Sequence, residues 1–270
     1  MLKLSIVLSV QPASFSALAY KGHMAENIKK IKELGYDGVE LAVRDPESLN
    51  LKELQSLLSV NNLPVPALGT GQAYGEEGLS FTNRDVNIRT KAINRIKSQV
   101  HLADLLKAKV IIGLVRGTKA PELDNQQVET WLIEALQECA AENDSIQLAI
   151  EPINRYETNL INTVDEGVRI LEKVNKKNVG LLLDTFHMNI EEPSITDSII
   201  SCKNHLFHFH VADSNRWYPG VGHINFKQVI DVLEQINYTG FVSAEILPYP
   251  DSDTAAVGTI KNMRKIVGRR

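Results

Sequence analysis

Cysteine is scarce. Cys139 and Cys202 are the only two in 270 residues, and they stand far apart without Cys-x-x-Cys spacing. That excludes a disulfide framework and a thiolate zinc site, and it predicts two small buried hydrophobes in a protein of the reducing cytoplasm. Positive charge is not in excess either. The 29 Lys and Arg are outnumbered by 33 Asp and Glu, for a net charge of −4, so no broad basic field offers nucleic acid a grip. No apolar stretch approaches the roughly 20 residues that cross a bilayer, and Met1-Leu2-Lys3-Leu4-Ser5 opens as a strand rather than as a charged leader with a cleavage site. No Pro/Gly/Ser-rich linker interrupts the chain, and no Gly-x-Gly-x-x-Gly turn follows the first apolar run to favour a doubly wound dinucleotide fold.

What the chain does contain is alternation. Apolar runs at Leu4 to Val10, Gly38 to Val43, Leu63 to Leu68 and Val110 to Val115 read as strands, with Pro64 and Pro66 weakening the third. Helical patterns lie between them, before Gly35, near Leu51 to Val60 and from about Arg84 to Leu106. Further helices are expected near Gln126 to Ala141, Val164 to Val174, Ile195 to Ser201, Phe226 to Ile236 and Ala255 to Ile266. Eight strand and helix pairs over residues 1–270 predict a single (β/α)8 TIM barrel domain, in which strands buried on both faces explain the near-continuous apolar runs.

Four of those runs stop at a metal-binding side chain. Leu148-Ala149-Ile150 ends at Glu151, Leu181-Leu182-Leu183 at Asp184, Leu206 to Phe209 at His210 and Phe241 to Ala244 at Glu245. Spacings of 33, 26 and 35 residues leave room each time for a loop and a returning helix, so all four side chains emerge at one carboxyl rim. A lone strand-end carboxylate can simply cap the next helix; four together predict a cation site. Three carboxylates and one imidazole suit one hard divalent ion, Mn²⁺ first, with Mg²⁺ or Co²⁺ as alternatives. His208, on the same strand face as His210, is expected one layer deeper, and His187, three residues past Asp184, is placed to reach a ligand.

Three ordered segments then carry a resemblance. Glu151-Pro152-Ile153-Asn154-Arg155-Tyr156-Glu157-Thr158, Asp184-Thr185-Phe186-His187-Met188-Asn189, and His208 to Arg216 with Gly220-Val221-Gly222-His223 resemble the ketose 3-epimerase branch of the xylose-isomerase-like barrels. The resemblance implies Glu151 and Glu245 as the acid/base pair as well as metal ligands, and Glu157, His187 and Arg216 as contacts to substrate oxygens. Ala42 to Pro46, Gly69 to Tyr74 with Gln72, and Ile111 to Gly117 resemble more closely the epimerases of a six-carbon keto sugar acid in inositol breakdown.

The chemistry fits that reading. A proton beside a ketone is too weakly acidic for a free carboxylate to remove quickly, and a divalent ion across the carbonyl and neighbouring hydroxyl oxygens stabilises the cis-enediolate. Inversion needs one carboxylate to take a proton and a second to return one from the other face. Arg44 and Arg116, which follow the second and fourth strands, are expected at the same rim to hold a substrate carboxylate. Gly69 to Gly75 reads as a mobile rim loop, and Gly220 and Gly222 as hinges of another, with Trp217 and Tyr218 shielding the substrate. The expected partner is a small keto sugar acid or a ketose, with neither nucleic acid nor membrane, and a homo-oligomer is allowed. Rival readings are an isomerase that shifts the carbonyl, a trinuclear abasic-site endonuclease and a non-catalytic sugar-binding protein.

Overall fold

The computed structural model describes residues 2–268. Its strands are β1 (Lys3–Ser9), β2 (Tyr20–Lys21), β3 (Gly38–Ala42), β4 (Ala67–Gly69), β5 (Lys109–Ile112), β6 (Leu148–Ile150), β7 (Val179–Asp184), β8 (Leu206–Val211) and β9 (Phe241–Ala244). β1 pairs in parallel with β3, each strand from β3 to β8 pairs in parallel with the next, and β9 returns to β1 through Lys3–Phe241 and Ile6–Ala244, which closes the barrel. Eight strands are staves. β2, which the sequence pattern did not show, pairs only with Leu8 and Ser9 of β1.

The helices are α1 (Met24–Glu33), α2 (Leu51–Val60), α3 (Gly71–Glu77), α4 (Val86–Leu106), α5 (Asn125–Ala141), α6 (Val164–Val174), α7 (Thr185–Glu191), α8 (Ile195–Ser201), α9 (Phe226–Gln235) and α10 (Ser252–Val267). Their starts follow local chemistry. Thr163 and Glu166 close a capping box at α6, whose Ile170, Leu171 and Val174 then face the sheet, while Asn175 ends it in the left-handed region. Burying each such side chain contributes roughly 1.5–3 kcal/mol, more than the ~1 kcal/mol of the cap.

Two expected strands are shorter than their apolar runs. Pro64 and Pro66 have no N–H to give, so the β4 ladder begins at Ala67, although their carbonyls still accept from Val39 N and Lys109 N, both at 3.1 Å. The run after β5 leaves the sheet at Gly113, and Leu114–Arg116 form a 3₁₀ turn. Gly38 has no room for a side chain: a Cβ would meet Phe241 Cε1 at 2.7 Å and Pro64 O at 2.8 Å.

Alternation sorts the staves into two faces. Outward residues such as Val110, Ile112, Leu181, Leu183, Phe209 and Val211 join the main core under the helices. Inward, Ala67, Ile111, Ala149 and Leu182 form a small apolar layer. One step further along β6, β7, β8 and β9, the inward positions are Glu151, Asp184, His210 and Glu245. Both cysteines are free and buried, as expected. No helix among the described residues is long and apolar enough to cross a membrane.

Candidate active site

Glu151, Asp184, His210 and Glu245 present ligand atoms that all lie within 4.8 Å of one another, the first three fully buried and Glu245 partly so. Asp184 and His210 are register partners on adjacent staves. Asp184 combines the two roles weighed for it: Oδ1 accepts from Phe186 N at 2.7 Å and caps α7, while Oδ2 faces the cluster.

Arg216 brings positive charge to the cluster. Its Nη1 donates to Asp184 Oδ2 at 2.8 Å and its Nη2 to Glu245 Oε2, with the guanidinium 4.8 Å over the Phe186 ring. Burial opposes that charge, but Asp184 and Glu245 outweigh it and hold Arg216 protonated. Burial and repulsion from Glu245 push Glu151 up to about 8. Burial also carries Glu245 to about 7 against the lowering pull of Arg216 and His210. Asp184 is held low despite its burial, chiefly by Arg216.

These residues fit a cation. Glu151 Oε1 and His210 Nδ1 are both buried without a hydrogen-bond partner, and a buried polar atom left bare is costly unless a ligand meets it. The oxygen-rich, thiolate-free set is the kind that holds a hard divalent ion.

Sequence reasoning missed Glu40. It points inward from β3, wholly buried, and its carboxylate meets His208 Nε2 at 2.8 Å and His210 Nε2 at 2.9 Å. Glu40, His208 and His210 also lie close enough for a metal, but contacts of 2.8–2.9 Å are those of imidazole donors on a carboxylate. Burial would raise the Glu40 carboxyl; the two imidazoles more than reverse this and hold it well below the carboxylate range. Burial would likewise lower His210, yet Glu40 lifts it to about 10. The available signal was two inward histidines on one stave, which need a buried partner.

Asp213 was missed as well. It is buried and accepts from the backbone N–H of Ser214, Gly220, Val221 and Ile224 at 2.8–3.1 Å, so the loop expected to hinge at Gly220 and Gly222 is strapped down around one carboxylate. The same loop holds Arg216 at a φ of 64°. Trp217 stacks on Tyr249 at 4.0 Å.

The pocket above the cluster is lined by Glu151, Glu157, His187, His210, Arg216 and Glu245, with Gln72 and the apolar Val7, Phe15 and Leu18 towards the other wall. His187, on helix α7 rather than in a loop, is lowered to about 3 by burial and by Arg216, and so is neutral. Gln72 is buried and its Nε2 donates to Ser9 Oγ at 2.7 Å. It sits on α3, and the mobile loop expected at 69–75 is corrected to this ordered helix.

Both rim arginines are corrected. Arg116 is fully buried and points away from the mouth, giving Nε to Leu160 O at 3.0 Å, Nη1 to Gly113 O at 2.9 Å and Nη2 to Ile161 O at 3.2 Å. It clamps the segment that carries Glu157. The position after a stave fixes where a backbone emerges, not which way a six-atom side chain turns. Arg44 stays at the surface, where Nε lies 3.5 Å from Glu77 Oε1, and neither arginine lines the pocket.

A closed parallel barrel with a metal-competent cluster on its carboxyl rim defines a (β/α)8 scaffold, and residues 28–266 match the xylose isomerase-like TIM barrel. The chain belongs to that family. It is 41% identical over 251 residues to a D-psicose 3-epimerase of Agrobacterium fabrum, covering 89% of this chain and 84% of the relative. It is 31% identical over 219 residues to an L-ribulose 3-epimerase of Methylomonas sp., covering 78% and 74%. The crystal structure of a D-allulose 3-epimerase from Methylomonas sp. superposes with a TM-score of 0.84 at 26% identity, over 98% of both chains. The protein is an isomerase of the epimerase type acting on carbohydrates.

Proposed function

We propose that Glu151 and Glu245 are the two proton-moving groups of this epimerase and that they invert the carbon beside the keto group of a sugar. The observation that carries this is their convergence on one pocket beside Asp184 and His210. One carboxylate takes the α-proton and the other returns a proton to the opposite face, so each turnover leaves the pair with its roles exchanged. The step needs one carboxyl protonated and the other ionised at its start. Burial raises both and favours that split, while a bound cation would pull both towards the ionised form.

Glu151, Asp184, His210 and Glu245 would hold a divalent cation, Mn²⁺ in this reading with Mg²⁺ or Co²⁺ as substitutes. When bound, it supplies Lewis-acid stabilisation of the charge that develops on the substrate oxygens. Arg216 and neutral His187 donate to substrate oxygens, and Glu157 and Gln72 orient hydroxyls.

For the substrate, the resemblance of residues 42–46, 69–74 and 111–117 to epimerases of a keto sugar acid supports 5-keto-L-gluconate, interconverted with D-tagaturonate in inositol breakdown, with no contact from Arg44 or Arg116. The reading takes the chain as one barrel domain over residues 1–270, working in the cytoplasm. A second reading, a neutral ketose, is favoured by one observation: Arg216 is the sole arginine or lysine among the described residues lining the pocket, and it is already paired. Incubating the Mn²⁺-loaded protein in D₂O with 5-keto-L-gluconate, D-psicose and L-ribulose separately, followed by NMR, tests both. Inversion with deuterium at the α-carbon is expected. An absence of product and of deuterium with all three would overturn the epimerase assignment.

A further inference from the structure

The segment after β6 and helix α7 meet through one amide. Asn154 and His187 are both buried, at 1% and 3% exposure, and Asn154 Nδ2 lies 2.8 Å from His187 Nδ1 and 2.8 Å from Glu157 Oε1. Which end of the amide points where is settled by its other contact. Tyr156 N, a backbone donor with no alternative role, lies 3.0 Å from Asn154 Oδ1, so that atom is the oxygen and the one facing His187 and Glu157 is the NH₂. Both hydrogens of the amide are thereby committed, one to the Glu157 carboxylate and one to the imidazole.

His187 Nδ1 is then met only by donors. The Asn154 side chain is one, and Asn154 N, at 3.5 Å, is a second and weaker one. The nearest Glu157 oxygen is 3.9 Å from Nδ1, too far to accept from it. A ring nitrogen faced by N–H groups must offer its lone pair, so the proton of the neutral ring belongs on Nε2. Nε2 faces the pocket, 3.6 Å from Glu151 Oε1, which is longer than a hydrogen bond and leaves the N–H available.

We propose that Asn154 is a positioning residue that fixes His187 as its Nε2–H tautomer, so that the imidazole presents a donor edge, and never a lone pair, to a substrate oxygen beside Glu151. The same amide holds Glu157 as an acceptor, so one side chain sets a donor and an acceptor at neighbouring points of the pocket wall. This rests on the proposed role of His187 towards substrate. It adds the substrate feature that is read there: an oxygen able to accept, as a carbonyl or alkoxide oxygen is. A wrong tautomer in an otherwise intact site removes the contact without disturbing the fold.

The test uses Asn154→Asp, which keeps an oxygen for Tyr156 N but turns the donor facing His187 into an acceptor, with Asn154→Ala as a second variant. In protein labelled with ¹⁵N-histidine and loaded with Mg²⁺, long-range proton–nitrogen correlation reports which ring nitrogen carries hydrogen, and a His187→Gln sample assigns the signal among the seven histidines. The wild type is expected to show bare Nδ1 and protonated Nε2, and Asn154→Asp a protonated Nδ1. In both variants kcat is expected to fall by about 10²-fold, the size of a lost proton-donor contact, with KM moving less and Mn²⁺ affinity within a few-fold because no ligand has changed. A wild-type His187 with its proton on Nδ1, or an Asn154→Asp protein that keeps the wild-type tautomer, overturns the proposal. If the tautomers behave as expected but no keto sugar is epimerised by the wild type, the assignment of His187 to catalysis fails and the tautomer lock stands.

Discussion

Glu40 and His210 meet at 2.9 Å inside the barrel, a carboxylate from β3 against the Nε2 of an imidazole from β8. The contact holds Nε2 away from the cluster and turns Nδ1, which has no hydrogen-bond partner, towards Asp184 Oδ2 at 3.9 Å. A carboxylate behind a metal-facing histidine fixes the ring and strengthens it as a ligand, and such partners contribute about 10–100-fold to metal affinity. Glu40→Gln, which cannot accept from both histidines through both of its polar atoms, is therefore expected to weaken Mn²⁺ binding by about that factor. Titration of the metal-free protein with Mn²⁺ measures it; unchanged affinity would contradict the role.

Stability of the metal-free protein should fall as pH rises from 6.5 to 8.5. Glu245 and Glu151 are raised to about 7 and about 8 in the folded chain, above the ordinary carboxylate value of 4.5. Groups raised on folding contribute stability that is present below the unfolded value and is lost as pH passes through the folded value. His187, lowered to about 3, contributes in the opposite sense, but only below its ordinary 6.5, outside this window. Each glutamate can add a slope of up to about 1.4 kcal/mol per pH unit. Mn²⁺ should remove this loss, so the gain in Tm on adding metal grows with pH. A gain that shrinks between pH 6.5 and 8.5 would contradict the charge assignment.

Arg116→Met separates a clamp from a substrate contact. Three carbonyls, those of Gly113, Leu160 and Ile161, lose a charged donor, although Gly113 O keeps the backbone N–H of residue 116 at 3.2 Å and Ile161 O keeps Ile153 N at 3.1 Å. With Leu160 O the one carbonyl left bare, a loss of about 1–3 kcal/mol is expected from the urea midpoint. The ratio of kcat/KM for an acidic to a neutral keto sugar should stay within a few-fold of wild type. A selective loss of the acidic sugar would restore Arg116 to the pocket.

The barrel and the convergence of Glu151, Asp184, His210 and Glu245 were legible because both rest on period and position. Alternation along β6 to β9 places every second residue inward, and the last inward residue of each stave is a ligand type. Glu40 was not legible for the same reason: inside Gly38-Val39-Glu40-Leu41-Ala42 it reads as an ordinary polar alternate, and its partners lie 168 and 170 residues away. Arg44 and Arg116 were misread because a rim position does not decide whether a long side chain turns to the mouth, to Glu77 or to a row of carbonyls. The segment 69–75 looked mobile for its glycines; α3 forms because Ala73 and Gln72 are buried by tertiary packing, which local propensity does not contain.

The central claim is that Glu151 and Glu245 serve opposite faces of one carbon, and hydrogen exchange in the single variants tests it most directly. Each purified epimer of a turned-over keto sugar would be incubated in D₂O with wild type, Glu151→Gln and Glu245→Gln, with metal content measured for each protein. The account predicts that wild type exchanges and inverts both epimers. Each variant should lose inversion by orders of magnitude, yet still place deuterium into one epimer, a different one for each variant. Inversion that survives in either metal-loaded variant, or exchange confined to the same epimer in both, would contradict it.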